Sequence, residues 1–111
     1  MIPTPVSLLI HSATLQTAAK DRYQENTVYS TVANLTRIRV EPSSKQLLGA
    51  NGTQKQLTAM LIFDVRNSRP TNPAFAVGQY ILFNGSEYRV ESVDSLYDQR
   101  KLHHFEVGLS G

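Results

Sequence analysis

Apolar residues alternate with polar ones along most of the chain, and this period of two is typical of β-strands with one buried face. The spacing of an amphipathic helix is weak, although a short helical turn is left open at 17–23 or 67–73. Strands are predicted at 6–17, 27–41, 57–65, 79–83, 87–94 and 102–109. The pattern therefore indicates an all-β chain of about six strands.

The strand at 57–65 differs from the others because apolar side chains occupy both of its faces. Leu61 and Phe63 lie on one face, and Met60 and Ile62 lie on the other. Burial on both sides is typical of a central strand, or of a strand that a partner covers.

The strongest local signal is the pair Asn84-Gly85, which separates two strand-like segments. Both residues accept the positive φ angles that a two-residue type I′ turn requires. The sequence therefore predicts a tight hairpin with Asn84 and Gly85 as its structural turn.

The length of 111 residues corresponds to one domain, which is expected to span 1–111. Six short strands in a chain of this size suit a small β-barrel or a sandwich, because closing a sheet removes its exposed strand edges. The expected fold is a small single-domain β-barrel of about six strands with one long flexible loop.

That loop is segment 43–56, which has two lysines, no acidic residue and little β-propensity. Structureless loops of this length are uncommon in compact domains and are often functional. We expect a long mobile loop with a contact role. Its candidate channel-facing or DNA-facing residues are Ser43, Ser44, Lys45, Gln46, Gly49, Asn51, Gly52 and Lys55.

Arg37 and Arg39 are expected on one face of the strand at 27–41, opposite Ile38 and Val40. They are candidate contacts to a neighbouring subunit or to phosphate, with a plain solvated face as the alternative. The net charge is only +2, and the eleven basic residues are scattered among nine acidic ones. This balance permits contact with nucleic acid without requiring it.

Candidate catalytic and metal-binding groups are sparse. The chain has no cysteine, which excludes disulfides and thiolate metal sites. His103 and His104 are adjacent, and on a strand we expect them to face opposite sides, so that one metal ion does not easily bind both. The carboxylates show no spacing that singles out an acid–base pair, and a nucleophile elbow and a phosphate loop are missing. The sequence therefore predicts a protein that is not an enzyme and that uses no cofactor or metal.

Membrane association is not expected either. The apolar runs are much shorter than the roughly 18 residues that a membrane helix needs. The first residues also lack the positive charge that opens a secretory signal peptide.

The second half of the chain resembles a hairpin of phage minor capsid proteins. The matching segment, 75–90, reads FAVGQYILFNGSEYRV, and His103-His104-Phe105-Glu106 resembles the last strand of that family. Weaker matches lie earlier in the chain, in the order of the family pattern, at 9–12, 21–23, 37–42 and 63–64. The ordered set resembles the minor capsid or head–tail connector proteins of tailed bacteriophages, which include head-completion and stopper subunits.

The resemblance implies a small β-barrel that assembles as a homo-oligomeric ring below the portal, joins head to tail and helps to retain packaged DNA. It implies a virion protein, assembled in the host cytoplasm, with portal or adaptor proteins and tail proteins as partners. In stopper proteins a long loop between barrel strands reaches into the channel, and segment 43–56 occupies a comparable place.

Contact between that loop and packaged DNA is left open. Two other functions also remain open at this stage. One is a free-standing OB-like or SH3-like nucleic-acid-binding module, and the other is a tail-terminator or tail-completion adaptor.

Overall fold

A computed structural model describes residues 8–20, 27–48 and 54–111. Within these ranges the chain forms strands and turns, and neither proposed helical turn is present: 17–20 is strand and 67–73 is irregular, while 21–23 lies outside the described residues. The eight strands are β1 His11–Lys20, β2 Thr27–Pro42, β3 Gln46–Leu48, β4 Gln54–Gln56, β5 Ala59–Asp64, β6 Tyr80–Phe83, β7 Ser86–Asp98 and β8 Lys101–Ser110.

Six of these strands form one antiparallel sheet in the order β1-β2-β5-β8-β7-β6, and β6 pairs back onto β1. The predicted small all-β fold of about six strands is therefore confirmed as a sheet that closes in a ring. The closing seam consists of three residue pairs, Thr14↔Leu82, Leu15↔Ile81 and Gln16↔Tyr80. β5 lies between β2 and β8, as its two apolar faces predicted.

β-Bulges bend the strands enough for such a short sheet to close. β2 gains residues relative to β1 at two places, between Leu35 and Ile38 and again at Val32. β7 gains Glu91 relative to β8, and β8 gains His103 relative to β7. A bulge interrupts the strict alternation of side chains. The two residues that flank it can therefore point to the same face of the sheet.

The core lies inside the ring, and every one of the six strands contributes to it. Its buried residues are Ala13, Leu15, Leu35, Ile38, Ala59, Leu61, Phe63, Ile81, Val90, Val107 and Leu109. Contributions from all six strands mean that burial of the core and closure of the sheet depend on one another.

An aromatic cluster covers one end of the core. Phe75, from the connection between β5 and β6, packs against Phe63 and Phe105 with ring centroids 5.6 Å from each. Phe105 is only partly buried and packs against the core.

The boundaries of the last hairpin differ from the prediction. Strands were predicted at 87–94 and 102–109, but β7 runs to Asp98, β8 starts at Lys101, and only Gln99 and Arg100 form the turn between them. Polar residues are tolerated there because the end of this strand pair is largely exposed. The first strand likewise begins at His11, with 6–7 outside the described residues.

The turn between β6 and β7 generates a first prediction. Asn84 has a φ of 51° and Gly85 a φ of 76°, as a type I′ turn requires. Gly85→Val should lower the free energy of unfolding by about 1–2 kcal/mol, because a β-branched residue is strained at positive φ. Urea denaturation measures this, with Asn84→Gly as a tolerated control. Equal stability of Gly85→Val and the natural chain would contradict the assigned turn.

Candidate functional site

Two short strands occupy the segment that was expected to be a structureless loop. Gln46 pairs with Gln56, and Leu48 pairs with Gln54, while a side-chain hydrogen bond of 3.2 Å joins Gln46 Nε2 to Gln56 Oε1. The prediction of an unstructured segment was therefore wrong for β3 and β4. Its mobility stays a prediction. Gly49, Asn51 and Gly52 lie outside the described residues, as does the side chain of Lys55.

We name residues 43–58 the arm, and its described parts, 43–48 and 54–58, continue the pairing of β2 with β5. The Ser43 amide donates to the Thr58 carbonyl at 3.1 Å, and the Leu57 amide donates to the Lys45 carbonyl at 2.9 Å. β2 ends beside the start of β5, so the two halves of the arm begin next to each other. Pairing therefore continues despite the low β-propensity of this segment. The arm is thus an extension of two ring strands.

Leu57 fixes the base of the arm to the outside of the sheet. Its side chain is only 1% exposed, yet it does not belong to the cluster inside the ring. A Cβ atom at Gly108 would lie 2.8 Å from Leu57 Cδ1, so the glycine leaves the space that Leu57 occupies on β8. The Thr58 amide also donates to the Leu109 carbonyl at 2.8 Å.

The polar residues at the base of the arm are accessible. Ser44, Lys45 and Gln46 are exposed, and Ser43 is half-buried. The side-chain amide of Gln56 donates from Nε2 to the Ser44 carbonyl at 2.7 Å, which joins the two strands of the arm beside Lys45. The exposed side chain of Lys45 therefore projects from a backbone that is held by hydrogen bonds.

Arg37 and Arg39 occupy different environments although they are close in sequence. Ile38 is buried and Val40 packs against the core, as expected. Arg37 is exposed and has a φ of 53° at the bulge, whereas Arg39 Nε lies 3.1 Å from Glu41 Oε2. The charge of Arg39 is therefore partly neutralised within its own strand.

A buried polar turn holds the bulge at Arg37 in place. Ser68 is fully buried, and its hydroxyl accepts from the Asp64 amide at 2.9 Å and donates to the Arg37 carbonyl. The Asp64 carboxylate, also buried, accepts from the Arg66 amide at 2.8 Å. Thr36 and Arg69 exchange two backbone hydrogen bonds beside it. Sequence reasoning missed this turn because Asp64 and Ser68 carry no distinctive motif.

The two adjacent histidines are closer than strand alternation predicts. Their Nδ1 atoms lie 2.8 Å apart, and His104 Nε2 lies 3.0 Å from Glu106 Oε2. The expectation that the rings face opposite sides was wrong, because His103 is the extra residue of the β8 bulge. If His104 donates to Glu106 from Nε2, its Nδ1 accepts the Nδ1–H of His103. The part of the chain that the structure describes contains no cluster of three metal-binding side chains.

An aromatic pair lies on the outer face beside the seam. Tyr29 and Tyr80 meet edge to face with ring centroids 5.3 Å apart. A side-chain hydrogen bond to Glu87 raises the pKa of Tyr29 above its ordinary value, with smaller contributions from desolvation and nearby charge. Leu82 is exposed on the same strand as Tyr80. This mixed surface is suited to contact with another protein.

The closed sheet and its arm define a small all-β domain. Comparison with protein families identifies a match to the family described as "Minor capsid protein" over residues 5–109, and the chain therefore belongs to that family. Its role is that of a phage structural protein, a component of the virion. A search of curated proteins finds no match. In residues 8–20, 27–48 and 54–111, helices long and apolar enough to cross a membrane are absent.

The Ser68 hydroxyl generates a prediction about the bulge. Ser68→Ala leaves the Asp64 amide and the Arg37 carbonyl without this partner in a buried site, which should lower the free energy of unfolding by about 1–3 kcal/mol. Ser95→Ala, on an exposed stretch of β7, is the matched control and should change stability little. Equal urea midpoints for the two variants would refute the assigned role.

Leu57 generates a prediction about the arm. Leu57→Ala should cost about 2–5 kcal/mol, because it empties a buried contact on Gly108. Hydrogen exchange should accelerate in β3 and β4 more than in β8. Leu82→Ala removes the same side chain from an exposed site and should have a much smaller effect. Unchanged exchange in the arm of Leu57→Ala would show that Leu57 does not hold it.

Proposed function

We propose that the chain is a head–tail connector subunit of a tailed phage, of the head-completion or stopper kind. Subunits assemble as a ring below the portal, join head to tail and help to retain packaged DNA. Membership of the minor capsid family supports a structural role in the virion, and the finer assignment depends on the arm.

The observation that carries the proposal is that the arm projects from the closed sheet as a paired extension of β2 and β5. The hydrogen bonds at Ser43 and Leu57 hold its direction relative to the ring. A paired arm can reach a channel or a neighbouring subunit. This position agrees with the channel-directed loop that the sequence resemblance implied.

The closed sheet also determines how subunits can meet. The pairing of β1 with β6 closes the six-stranded sheet at residues 14–16 and 80–82. β2 pairs with β5 only over 38–42, so its stretch 27–35 is paired by β1 on one side and leaves a strand edge there. Subunits can therefore meet through side-chain surfaces, through the arm and through this edge. Ile10, Val77 and Tyr97 are 69%, 61% and 58% exposed and are candidates for such side-chain contacts.

Particles made without the protein test the proposal. Heads lacking it should lose packaged DNA or fail to join tails, as judged by electron microscopy and nuclease sensitivity. The protein should co-sediment with filled heads that lack tails, which separates it from a tail-terminator or tail-completion adaptor. Particles that keep their DNA and join tails normally without the protein would overturn the proposal.

A variant with a shortened arm tests whether DNA retention depends on the length of the arm separately from entry into particles. Because Leu57 and Lys45 are hydrogen-bonded, residues 46–56 can be replaced by Asn-Gly as a tight turn between them. This variant should still enter particles but release DNA. The double change Lys45→Ala and Lys55→Ala keeps the length and removes the charge, so it shows whether reach or charge matters. Full DNA retention by the shortened variant would exclude a channel role for the arm.

The nucleic-acid-binding module left open by the sequence makes a contrasting prediction. The isolated chain would then bind duplex DNA tightly, with an affinity that falls steeply as salt rises. A flat gel-shift titration at low salt would exclude that function and leave the connector role unaffected.

A further inference from the structure

An open groove lies at the end of the ring opposite the arm. It has a volume of about 530 Å³ and is lined by the chain that follows β5, at Asp64, Val65 and Arg66, and by the β7–β8 turn, residues 98–103. A hydrogen bond of 3.2 Å from the Val65 amide to the His103 carbonyl joins these two walls. The arm leaves the other end of β5, so the two features lie about 20 Å apart along that six-residue strand.

The groove concentrates positive charge. Arg66, Arg100 and Lys101 line it and are exposed. Arg69 lies beside it, since its guanidinium donates to the Arg66 carbonyl at 3.1 Å. The lining contains two acidic residues. Asp64 is buried and its carboxylate accepts from the backbone, which leaves Asp98 as the accessible one.

Two other arginines of the described sheet are placed differently from the cations of the groove. Arg39 forms an ion pair with Glu41 at 3.1 Å, and Arg89 forms one with Glu91 at 2.9 Å. A surface for duplex DNA usually carries cations along an extended track. Here three exposed cations share one groove whose lining also includes the apolar side chains of Val65 and Leu102.

We propose that this groove binds an acidic, extended segment of a neighbouring virion protein. The carboxylates of that segment would meet Arg66, Arg100 and Lys101, while an apolar side chain between them would rest on Val65 and Leu102. Guanidinium groups favour carboxylates because their planar donors match two oxygens at once. A confined groove with apolar lining suits such a peptide better than a hydrated phosphodiester backbone.

The proposal rests on the connector role, and it assigns the two ends of the ring to different tasks. The arm reaches outward from one end of β5, while the groove holds a partner at the other end. One subunit can then contact two neighbours without the two contacts competing for the same surface.

The test uses the full chain and a capped Glu-Leu-Glu-Leu-Glu peptide, with binding followed by NMR. Amide shifts should move at 64–66 and 98–103. The double variant Arg100→Glu with Lys101→Glu should weaken binding by about tenfold or more, because both side chains are exposed in the groove and reversal repels the carboxylates. Lys45→Glu, an exposed charge reversal at the arm, should bind as the natural chain does.

Three results would overturn the proposal. One is unchanged affinity in the double variant, and another is equal binding of a capped Gln-Leu-Gln-Leu-Gln peptide, which lacks the charges. The third is tighter binding of short duplex DNA than of the acidic peptide, mapped to the same residues. This assay needs no particles, so its failure leaves the connector role standing. Conversely, particles that keep their DNA and join tails without the protein would remove the connector role, and the measured peptide binding would still stand.

Discussion

Pairing between β1 and β6 is the interaction on which the rest of the structure depends. It consists of three residue pairs, of which Leu15 and Ile81 form the buried centre. Without this seam, both strands would be sheet edges with unpaired backbone donors and acceptors, and the core would open along one side. The seam therefore keeps the core closed at its centre.

Closing so few strands requires strong local bending, and buried polar groups hold the bends. The bulge near Arg37 is fastened by Ser68, whose hydroxyl bonds two backbone groups from different strands. The bulge at His103 brings two imidazole rings together and connects them to Glu106. These two bends thus have a specific polar contact beside them, which restricts the curvature of the sheet at those places.

The sequence predicted the parts of the fold that follow from local rules. Alternation predicted the strands, two-sided apolarity identified β5 as central, and Asn84-Gly85 gave the tight hairpin. It could not predict the bulges at Glu91 and His103, because one extra residue in a strand leaves no mark in an apolar pattern. The resemblance to minor capsid proteins was confirmed at the level of the family.

The candidate site was less accessible to sequence reasoning, because it depends on contacts between distant segments. The arm has little β-propensity, and it pairs because the end of β2 lies beside the start of β5. The groove brings Arg66 beside Arg100 and Lys101, which are more than thirty positions later in the chain. Only the closed sheet shows that these cations share one surface.

The continuous ladder at the base of the arm also affects how its length can change. An antiparallel pair lengthens by matched residues on its two strands, and each added pair moves the tip by about 3.3 Å. Insertions of two residues per strand keep every side chain on its original face, whereas one residue per strand reverses them. The reach of this protein can therefore be adjusted in discrete increments while the six-stranded ring, with Leu57 seated on Gly108, remains as it is.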